Sequence, residues 1–517
     1  MNEKKFYVTT PIYYPSNNLH LGNAYTTIVA DCLKRYKRQR GFDTIMITGT
    51  DEHGQKIQSI SSNKGQSPME YIEPIVDNAK TLWKKLNIDY DNFIRTTDQI
   101  HEKNVVEIFN KLYKKGDIYK DKYKGKYCVP CESFWTESQL IEKKYCPDCG
   151  RQVIDSEEES YFFKLSKYKE KIIEVIENNP EYIQPESSRN EMISFLKEGL
   201  NDLSITRSSF NWGIKVPFDT NHVIYVWIDA LSCYLTGAGY GVDKKKFEKF
   251  WPCDIHLVGK EIMRFHAIIW TAILLALDLP LPKKIFGHGW ILFDEKKMSK
   301  SRGNVLYAEP LIERYGTDSI RYFMLREFVF GQDGSFNYYN FLNRINSDLV
   351  NDLGNLVSRT ITMCEKYFNG EVPESGELFD IDKDLIKMAE DTFKIVETNI
   401  NSLNFSEALE NIWKFIRRTN KYVDQTSPWI LAKADKNRLK TVIYNLIESI
   451  RAISDLIQAF IPNTALKINE QIGYCNNYNK KVDIFGILKA GTKIKRDGNL
   501  FDRIDLKKEL KYYDKYN

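Results

Sequence analysis

At 517 residues the chain is too long for one hydrophobic core, and several domains are expected. Its 42% hydrophobic and 28% charged residues are ordinary for a globular protein, while a net charge of +4 leaves any nucleic-acid contact to local runs such as residues 34–40, 417–421 and 493–496. No apolar h-region follows the N-terminal basic residues and the longest apolar run, residues 267–277, is too short to span a bilayer, so a cytoplasmic protein is expected, whose nine cysteines favour metal or buried thiols over disulfides.

Residues 6–14 form an apolar run rich in β-branched and aromatic side chains, which reads as a strand. The run breaks at Pro15-Ser16-Asn17-Asn18. Leu21, Ala24, Ile28, Cys32 and Tyr36 then recur at spacings of three or four, the stripe of an amphipathic helix. His20, Gly22 and Asn23 stand where that helix opens. A helix N-terminus offers unpaired N–H groups and the positive end of its dipole to a phosphate, and Gly22 keeps the approach clear of side chains. Gly41 supplies a C-cap, and residues 44–48 read as a buried parallel strand that ends in Gly49-Thr50-Asp51-Glu52-His53-Gly54. Ligands of open α/β sheets bind beyond the carboxyl ends of strands, so Asp51 is expected to face the same crevice as His20. An acid there suits a cationic amine; a plain helix cap is the competing reading. Alternating strands and helices continue to about Lys115, the first half of a doubly wound, Rossmann-like α/β fold.

The alternation is then interrupted. Cys128, Cys131, Cys146 and Cys149 form two C-x2-C knuckles, with Gly150 just after the second. Four thiolates at this spacing converge tetrahedrally on one ion, so one structural zinc per chain is expected. The insertion runs to about Asn221, with short strands around residues 160–163 and a helix over 168–178. Residues 223–229 read as a strand resuming the main sheet, followed by Ala230, Leu231 and Tyr234. Residues 254–260 form a further strand, and a helix from about Glu261 presents Ile262 and His266 on one face. Trp227, Tyr234, Ile262 and His266 could line one apolar pocket with a polar tip, although in isolation each of them more often simply packs in a core.

After residues 290–293 the chain turns polar. Lys296 to Asn304 reads as a loop that presents Lys297 and Lys300 beside Ser299. A helix N-terminus and a lysine loop together make a clamp for a triphosphate. From about Tyr339 strands give way to amphipathic helices, a bundle that includes residues 405–423 and 439–460. Asn355 and Arg359 lie four apart on one helical face, and Trp429 follows Ser427-Pro428, a helix-start pairing. An amide, a guanidinium and an indole can hydrogen-bond and stack on unpaired bases, though a tryptophan there is more often a core anchor. The tyrosine-rich basic tail at 507–516 could dock or remain disordered.

The segments His20-Leu21-Gly22-Asn23 and Lys297-Met298-Ser299-Lys300-Ser301 resemble the His-Ile-Gly-His and Lys-Met-Ser-Lys-Ser signatures of class I aminoacyl-tRNA synthetases. The second is matched in full, and the first departs at Asn23, where histidine is usual. TPIYY before HLGN, then GTDEHG, the four-cysteine insertion, VWIDA, GKEIMRFH, HGW and KMSKSRGN, in that order over essentially the whole chain, resemble the methionyl-tRNA synthetase family. The resemblance implies ligation of L-methionine to tRNA(Met) by way of methionyl-adenylate, with release of AMP and pyrophosphate. It assigns Ile12, Tyr14, Trp227, Ala230, Leu231, Tyr234, Ile262 and His266 to the methionine side chain and Asp51 to the amino group. ATP, with Mg2+, falls to His20, Gly22, Asn23, Lys297, Ser299 and Lys300, of which His20, Lys297 and Lys300 would be catalytic. Asn355, Arg359 and Trp429 would read the anticodon.

The implied order is a catalytic domain in two halves, 1–115 and 222–290, interrupted by a zinc insertion at 116–221. A lysine-loop linker follows at 291–338 and a helical anticodon-binding domain with its tail at 339–517. No appended oligonucleotide-binding domain is visible, so a monomer is expected. Two alternatives compete: a class I synthetase for another aliphatic amino acid, and a tRNA-binding protein that has kept the fold and lost catalysis.

Overall fold

The computed structural model describes residues 4–128, 133–135, 137, 140–147, 150–293, 296–297, 305–475 and 484–513. It divides into two compact units, one of residues 1–30, 43–84 and 88–289, the other of residues 31–42, 85–87 and 290–517.

The first unit is built on a parallel sheet of β1 (Lys5–Tyr13), β2 (Asp43–Thr50), β3 (Asn92–Arg95), β4 (Ile183–Gln184), β5 (Ile255–Gly259) and β6 (Ile285–His288), in the order β3-β2-β1-β5-β6-β4. Strand order reverses between β1 and β5, the switch point at which doubly wound sheets open a crevice for ligands. Both β1 and the helix after it, α1 (Leu21–Gln39), lie where residue patterning puts them, and Leu21, Ala24, Ile28 and Cys32 are fully buried. The register of β1 on β2 shifts between Thr9 and Ile12. Pro11 has no N–H to give the ladder, and the slip sets Ile12 and Tyr13 opposite Gly49 and Thr50, at the mouth of the crevice.

Three parts of this unit differ from the sequence reading. Residues 223–229 do not resume the parallel sheet. The strand Asp219–Ile224 belongs to a separate antiparallel sheet with Lys215–Val216 and Thr206–Arg207, and the following residues form a helix, which with Gln99–Lys114 as α2 is α3 (Val226–Ala238). The segment is apolar on every side, and a buried helix and a buried strand share that signature. The structure separates them at Tyr225, which is extended, and at Gly239, whose φ of +104° closes the helix with a left-handed cap. Second, β4 lies inside the expected insertion and yet pairs with β6. Third, the regular helix expected from Glu261 is a tight turn at Lys260–Ile262, then a wide, π-type turn at Phe265–Trp270, and only then α-helix.

The rest of the insertion is an antiparallel sheet in which Ile118–Cys128 pairs along its length with Ile154–Phe163, flanked by Ser133–Trp135 and Leu203–Ser204. Cys128, Trp135, Leu140, Cys146 and Val153 close a small apolar core beside it.

In the second unit Ile291–Phe293 pairs antiparallel with Lys296–Lys297 and parallel with Gly334–Phe336, the last strand among the described residues. Helices follow, as patterning requires: α4 (Thr317–Glu327) precedes that strand, and after it come α5 (Asn355–Phe368), α6 (Asp380–Asn401), α7 (Phe405–Thr426), α8 (Pro428–Ala434) and α9 (Lys436–Ile457). Arg321 of α4 is fully buried against Asp31, 2.6 Å away, and donates to the carbonyls of Leu86, Ala459 and Phe460. A charge out of water survives only when paired and hydrogen-bonded in this way. The tail is ordered as the helix Leu506–Tyr513, with Tyr513 stacked on Tyr338 at 3.8 Å and Glu509 paired with Arg314. No helix among the described residues is long and apolar enough to cross a membrane.

Candidate active site

The turn after β1 delivers His20 to the N-cap of α1, half-buried. The Asn23 side-chain oxygen accepts the backbone N–H of His20 at 3.0 Å, the returning half of a capping box. Position 23 therefore has a task that needs no charge. Lower on the same helix, Thr26 meets His288 at the end of β6, with 2.6 Å between Oγ1 and Nε2. His288 Nδ1 lies 2.8 Å from the Gly289 carbonyl, so it carries the ring proton and Nε2 accepts from the threonine. Burial holds His288 below the usual histidine range, and the neutral ring fastens α1 to the sheet.

Most of the apolar side chains expected around methionine share one core. Leu231 and Tyr234 of α3 are buried in the main core, and Ile12, Trp227, Ile262 and Phe265 pack against it. Ala230 is buried next to Leu231. The Trp227 and Phe265 rings stack at 3.6 Å. The tip is polar: the Tyr234 hydroxyl lies 2.7 Å from His266 Nε2, and His266 Nδ1 lies 2.9 Å from the Ile262 carbonyl. A carbonyl only accepts, so Nδ1 bears the proton and Nε2 accepts from the tyrosine. Burial takes the His266 pKa down to about 4, and the imidazole is neutral at pH 7. The wide helical turn at Phe265–Trp270 is what aims this ring back at Ile262, a use of π-type turns that recurs at functional sites. Tyr14 departs from the group. It packs on a second cluster with Ile57, Tyr71, Ile72 and Trp212.

Asp51 caps this arrangement at the end of β2. It is buried, and its N–H donates to the Tyr13 carbonyl at 3.0 Å. Burial first, and the Asp51 charge among lesser contributions, push the Cys233 thiol and the Tyr234 phenol far up. The next two residues build a frame around it. Glu52 is fully buried and accepts a two-pronged bond from Arg95 at 2.8 and 3.0 Å, plus one from Thr97. Its carbonyl accepts the Trp212 indole N–H at 2.6 Å. His53 Nδ1 lies 2.7 Å from Asp229 Oδ2, and His101 Nε2 lies 2.9 Å from Asp229 Oδ1.

Sequence reading gave no role to His53, His101, Trp212, Asp229 or Phe265. Three of them sit inside quoted motifs, GTDEHG, VWIDA and GKEIMRFH; the other two had no local signal.

Of the remaining candidates, Lys297 is described by its backbone alone, in the strand Lys296–Lys297, and Ser299 and Lys300 lie outside the described residues. Cys131 and Cys149 lie outside them too. Cys128 and Cys146 are both fully buried in one small core, and the Gly150 N–H donates to the Cys146 carbonyl at 2.8 Å, closing a knuckle turn with φ of +69° at the glycine. In the helical unit Asn355 and Arg359 are exposed on α5, and Arg359 meets Asp424 of α7 at 3.3 Å, five residues before Trp429. The core-anchor alternative for Trp429 does not hold: the indole is 45% exposed, beside Ile430 at 58%.

Residues 6–157 and 150–361 match the family described as tRNA synthetases class I (M), and residues 372–517 match the anticodon binding domain of methionyl tRNA ligase. With the switch-point crevice, these matches define the class: a class I α/β synthetase core joined to a helical anticodon-binding domain. Similar proteins include a methionine–tRNA ligase of Caldanaerobacter subterraneus, 57% identical over 512 residues, and one of Clostridium tetani, 55% identical over 514. The matches cover 98% and 99% of this chain and 80% of each relative. Among solved structures, Mycobacterium tuberculosis methionyl-tRNA synthetase in complex with methionyl-adenylate matches with a TM-score of 0.93 at 40% identity, over 97% of this chain and all of that one. The apo form of the same enzyme matches at 0.87 and 38%, over 97% of this chain and 99% of that one. The chain belongs to the methionyl-tRNA synthetase family.

Proposed function

We propose that this chain ligates L-methionine to tRNA(Met) in the cytoplasm, through a methionyl-adenylate, with the division of labour that follows. The observation that supports it is a buried Asp51 just past β2 together with a hydrogen-bonded, neutral Tyr234–His266 pair in the core against which Ile12, Trp227 and Ile262 pack. Asp51 takes the ammonium of the amino acid. Trp227, Ala230, Leu231, Ile262 and Ile12 enclose an unbranched side chain up to the Tyr234–His266 tip, where a polarisable thioether gains roughly 0.3–1.5 kcal/mol beside an aromatic ring. Tyr14, on the neighbouring cluster, borders the slot from the β1 side.

The carboxylate of methionine then attacks the α-phosphorus of ATP, pyrophosphate leaves, and the terminal ribose hydroxyl of tRNA takes the methionyl group from the adenylate. Neither step needs a protein nucleophile. The chain contributes position and opposite charge, the two largest resources of phosphoryl transfer. His20, Gly22 and the α1 N-terminus, squared by Asn23, receive phosphate oxygens; Lys297, Ser299 and Lys300 supply cations and a hydroxyl as charge moves to pyrophosphate. ATP enters as its Mg2+ complex. Asn355, Arg359 and the exposed Trp429 offer hydrogen bonds and a stacking face to anticodon bases.

The donor chemistry of the insertion fits zinc. Two thiols from separate segments are buried in one small core, each followed three residues later by another cysteine, and one knuckle turn is already closed. Bound by Cys128, Cys131, Cys146 and Cys149, the ion would have no open position and would hold the insertion's shape. The chain would work as a monomer.

ATP–pyrophosphate exchange run with each of the twenty amino acids tests the proposal. Methionine alone should support exchange; support by another amino acid, or by none, overturns it.

A further inference from the structure

Asp229 has no role toward the substrate in the reading above, yet it is fully buried in the first turn of α3, between Trp227 and Ala230. Histidines from two other segments hold its two oxygens. His53, two residues beyond Asp51, places Nδ1 2.7 Å from Oδ2. His101, in the first turn of α2, places Nε2 2.9 Å from Oδ1, while its Nδ1 meets Thr236 Oγ1 at 3.1 Å, further along α3. The edge of Trp212 closes over His53, with ring centroids 5.4 Å apart, and Glu102 Oε1 lies 3.8 Å from His53 Nε2. Burial opposes charge on both partners, but the Asp229 carboxylate raises His53 above the usual histidine range, and His53 and His101 hold Asp229 below the usual carboxylate range. The pair is an ion pair sealed from water, of the kind that is costly to leave half-made.

The placement of this pair matters more than its strength. Asp51, on the amine side of the pocket, is held by the chain that carries His53. Trp227, Ala230, Leu231 and Tyr234, on the side-chain side, are held by the helix that carries Asp229. We infer that Asp229, clamped by His53 and His101, is a positioning residue that fixes the separation of the two halves of the amino-acid pocket and so selects the length of the substrate side chain. Arg95 and Thr97 also grip Glu52, and the Tyr7 hydroxyl on the Tyr234 carbonyl and the Asn92 amide on the Gly237 carbonyl tie α3 to the sheet. Among these links the clamp is the one made by a residue two positions from Asp51. The inference rests on the pocket assignment of the preceding section.

Methionine-dependent pyrophosphate exchange on the full chain tests it, with ethionine, one methylene longer, and S-methylcysteine, one methylene shorter, as competing substrates. His53→Ala should raise the methionine KM tenfold or more, leave the ATP KM within twofold, and reduce the preference for methionine over both analogues at least fivefold. His53→Asn, whose amide N–H falls near the place of Nδ1, should restore the KM and the preference to within threefold. Where His53→Ala does not yield folded protein, Asp229→Asn, which keeps the shape and removes the charge, is read in the same way. An equal loss of kcat for all three amino acids with unchanged KM and preference, or no rescue by His53→Asn, overturns the clamp while the pocket assignment stands. Wild-type exchange with an amino acid other than methionine, or with none, overturns both.

Discussion

Removing the Tyr234 hydroxyl, as Tyr234→Phe, tests the pocket tip with a change of one oxygen. The hydroxyl is buried and donates across 2.7 Å to His266 Nε2, and the other ring nitrogen is already committed to the Ile262 carbonyl. The variant leaves Nε2 as a buried acceptor without a donor, a loss of about 1–3 kcal/mol, or roughly 5- to 150-fold in an equilibrium constant. The methionine KM should rise within that range while the ATP KM stays near the wild-type value. A pH dependence follows. His266 has its folded pKa lowered from 6.5 to about 4, so the neutral ring contributes stability that is fully present above about pH 6.5 and is lost as the pH falls toward 4. The gap of about two and a half units corresponds to about 3 kcal/mol. Taking the tyrosine proton away opens a lone pair on Nε2 and raises the folded pKa, so the variant should lose methionine affinity at a higher pH than the wild type. Pyrophosphate exchange at pH 8, 7 and 6 measures both effects. A variant KM within twofold of wild type at all three values would refute the hydrogen-bonded tip.

Lys300→Ala should slow adenylate formation by about two orders of magnitude, the scale of one lost transition-state donor, with methionine binding unchanged within about twofold; wild-type values of both in pre-steady-state assays would remove the lysine loop from the mechanism. Metal analysis of the purified chain should return about one zinc per polypeptide, and a stoichiometry near zero with four titratable thiols would sink the knuckle. Trp429→Ala should raise the KM for tRNA about tenfold, within the roughly 1–3 kcal/mol measured for base stacking, and spare pyrophosphate exchange; equal loss in both assays would assign the indole to folding.

The parts legible in the sequence are those whose signal is local. The break at Pro15-Ser16-Asn17-Asn18 and the stripe of Leu21, Ala24, Ile28 and Cys32 give β1, its turn and α1, since a proline-rich turn and a 3.6-residue period each report on backbone within a few residues. What stayed hidden depends on partners far along the chain. Residues 223–229 read as a strand although the helix begins at Val226, because a largely apolar run reads the same in both forms. At two residues, Ile183–Gln184 has no period to read, and only its pairing with Ile285 and Phe286 makes it a strand. His101 and Asp229 are 128 residues apart, and Trp212 reaches Glu52 across 160; nothing around either residue announces the other. Trp429 went the other way: helix-start chemistry was visible at Ser427-Pro428, but the exposure of the indole was a property of packing.

The committed state of the pocket tip bears on what the site can reject. Both nitrogens of His266 are engaged inside the protein, and the imidazole is neutral at pH 7, so the slot presents no charge to a side chain. A glutamate or lysine side chain entering it would shed its water with no counter-charge in return, at a cost of several kcal/mol. With the pocket assigned as proposed, charged amino acids would be excluded by solvation before shape is consulted. Homocysteine is a harder case, since it differs from methionine by one methyl group, whose burial is worth about 0.8 kcal/mol. That is a discrimination of only about fourfold, just below the roughly 1–3 kcal/mol available from one methylene in an apolar pocket. In the pocket proposed above, binding would separate methionine from charged residues by orders of magnitude and from homocysteine by only a small factor.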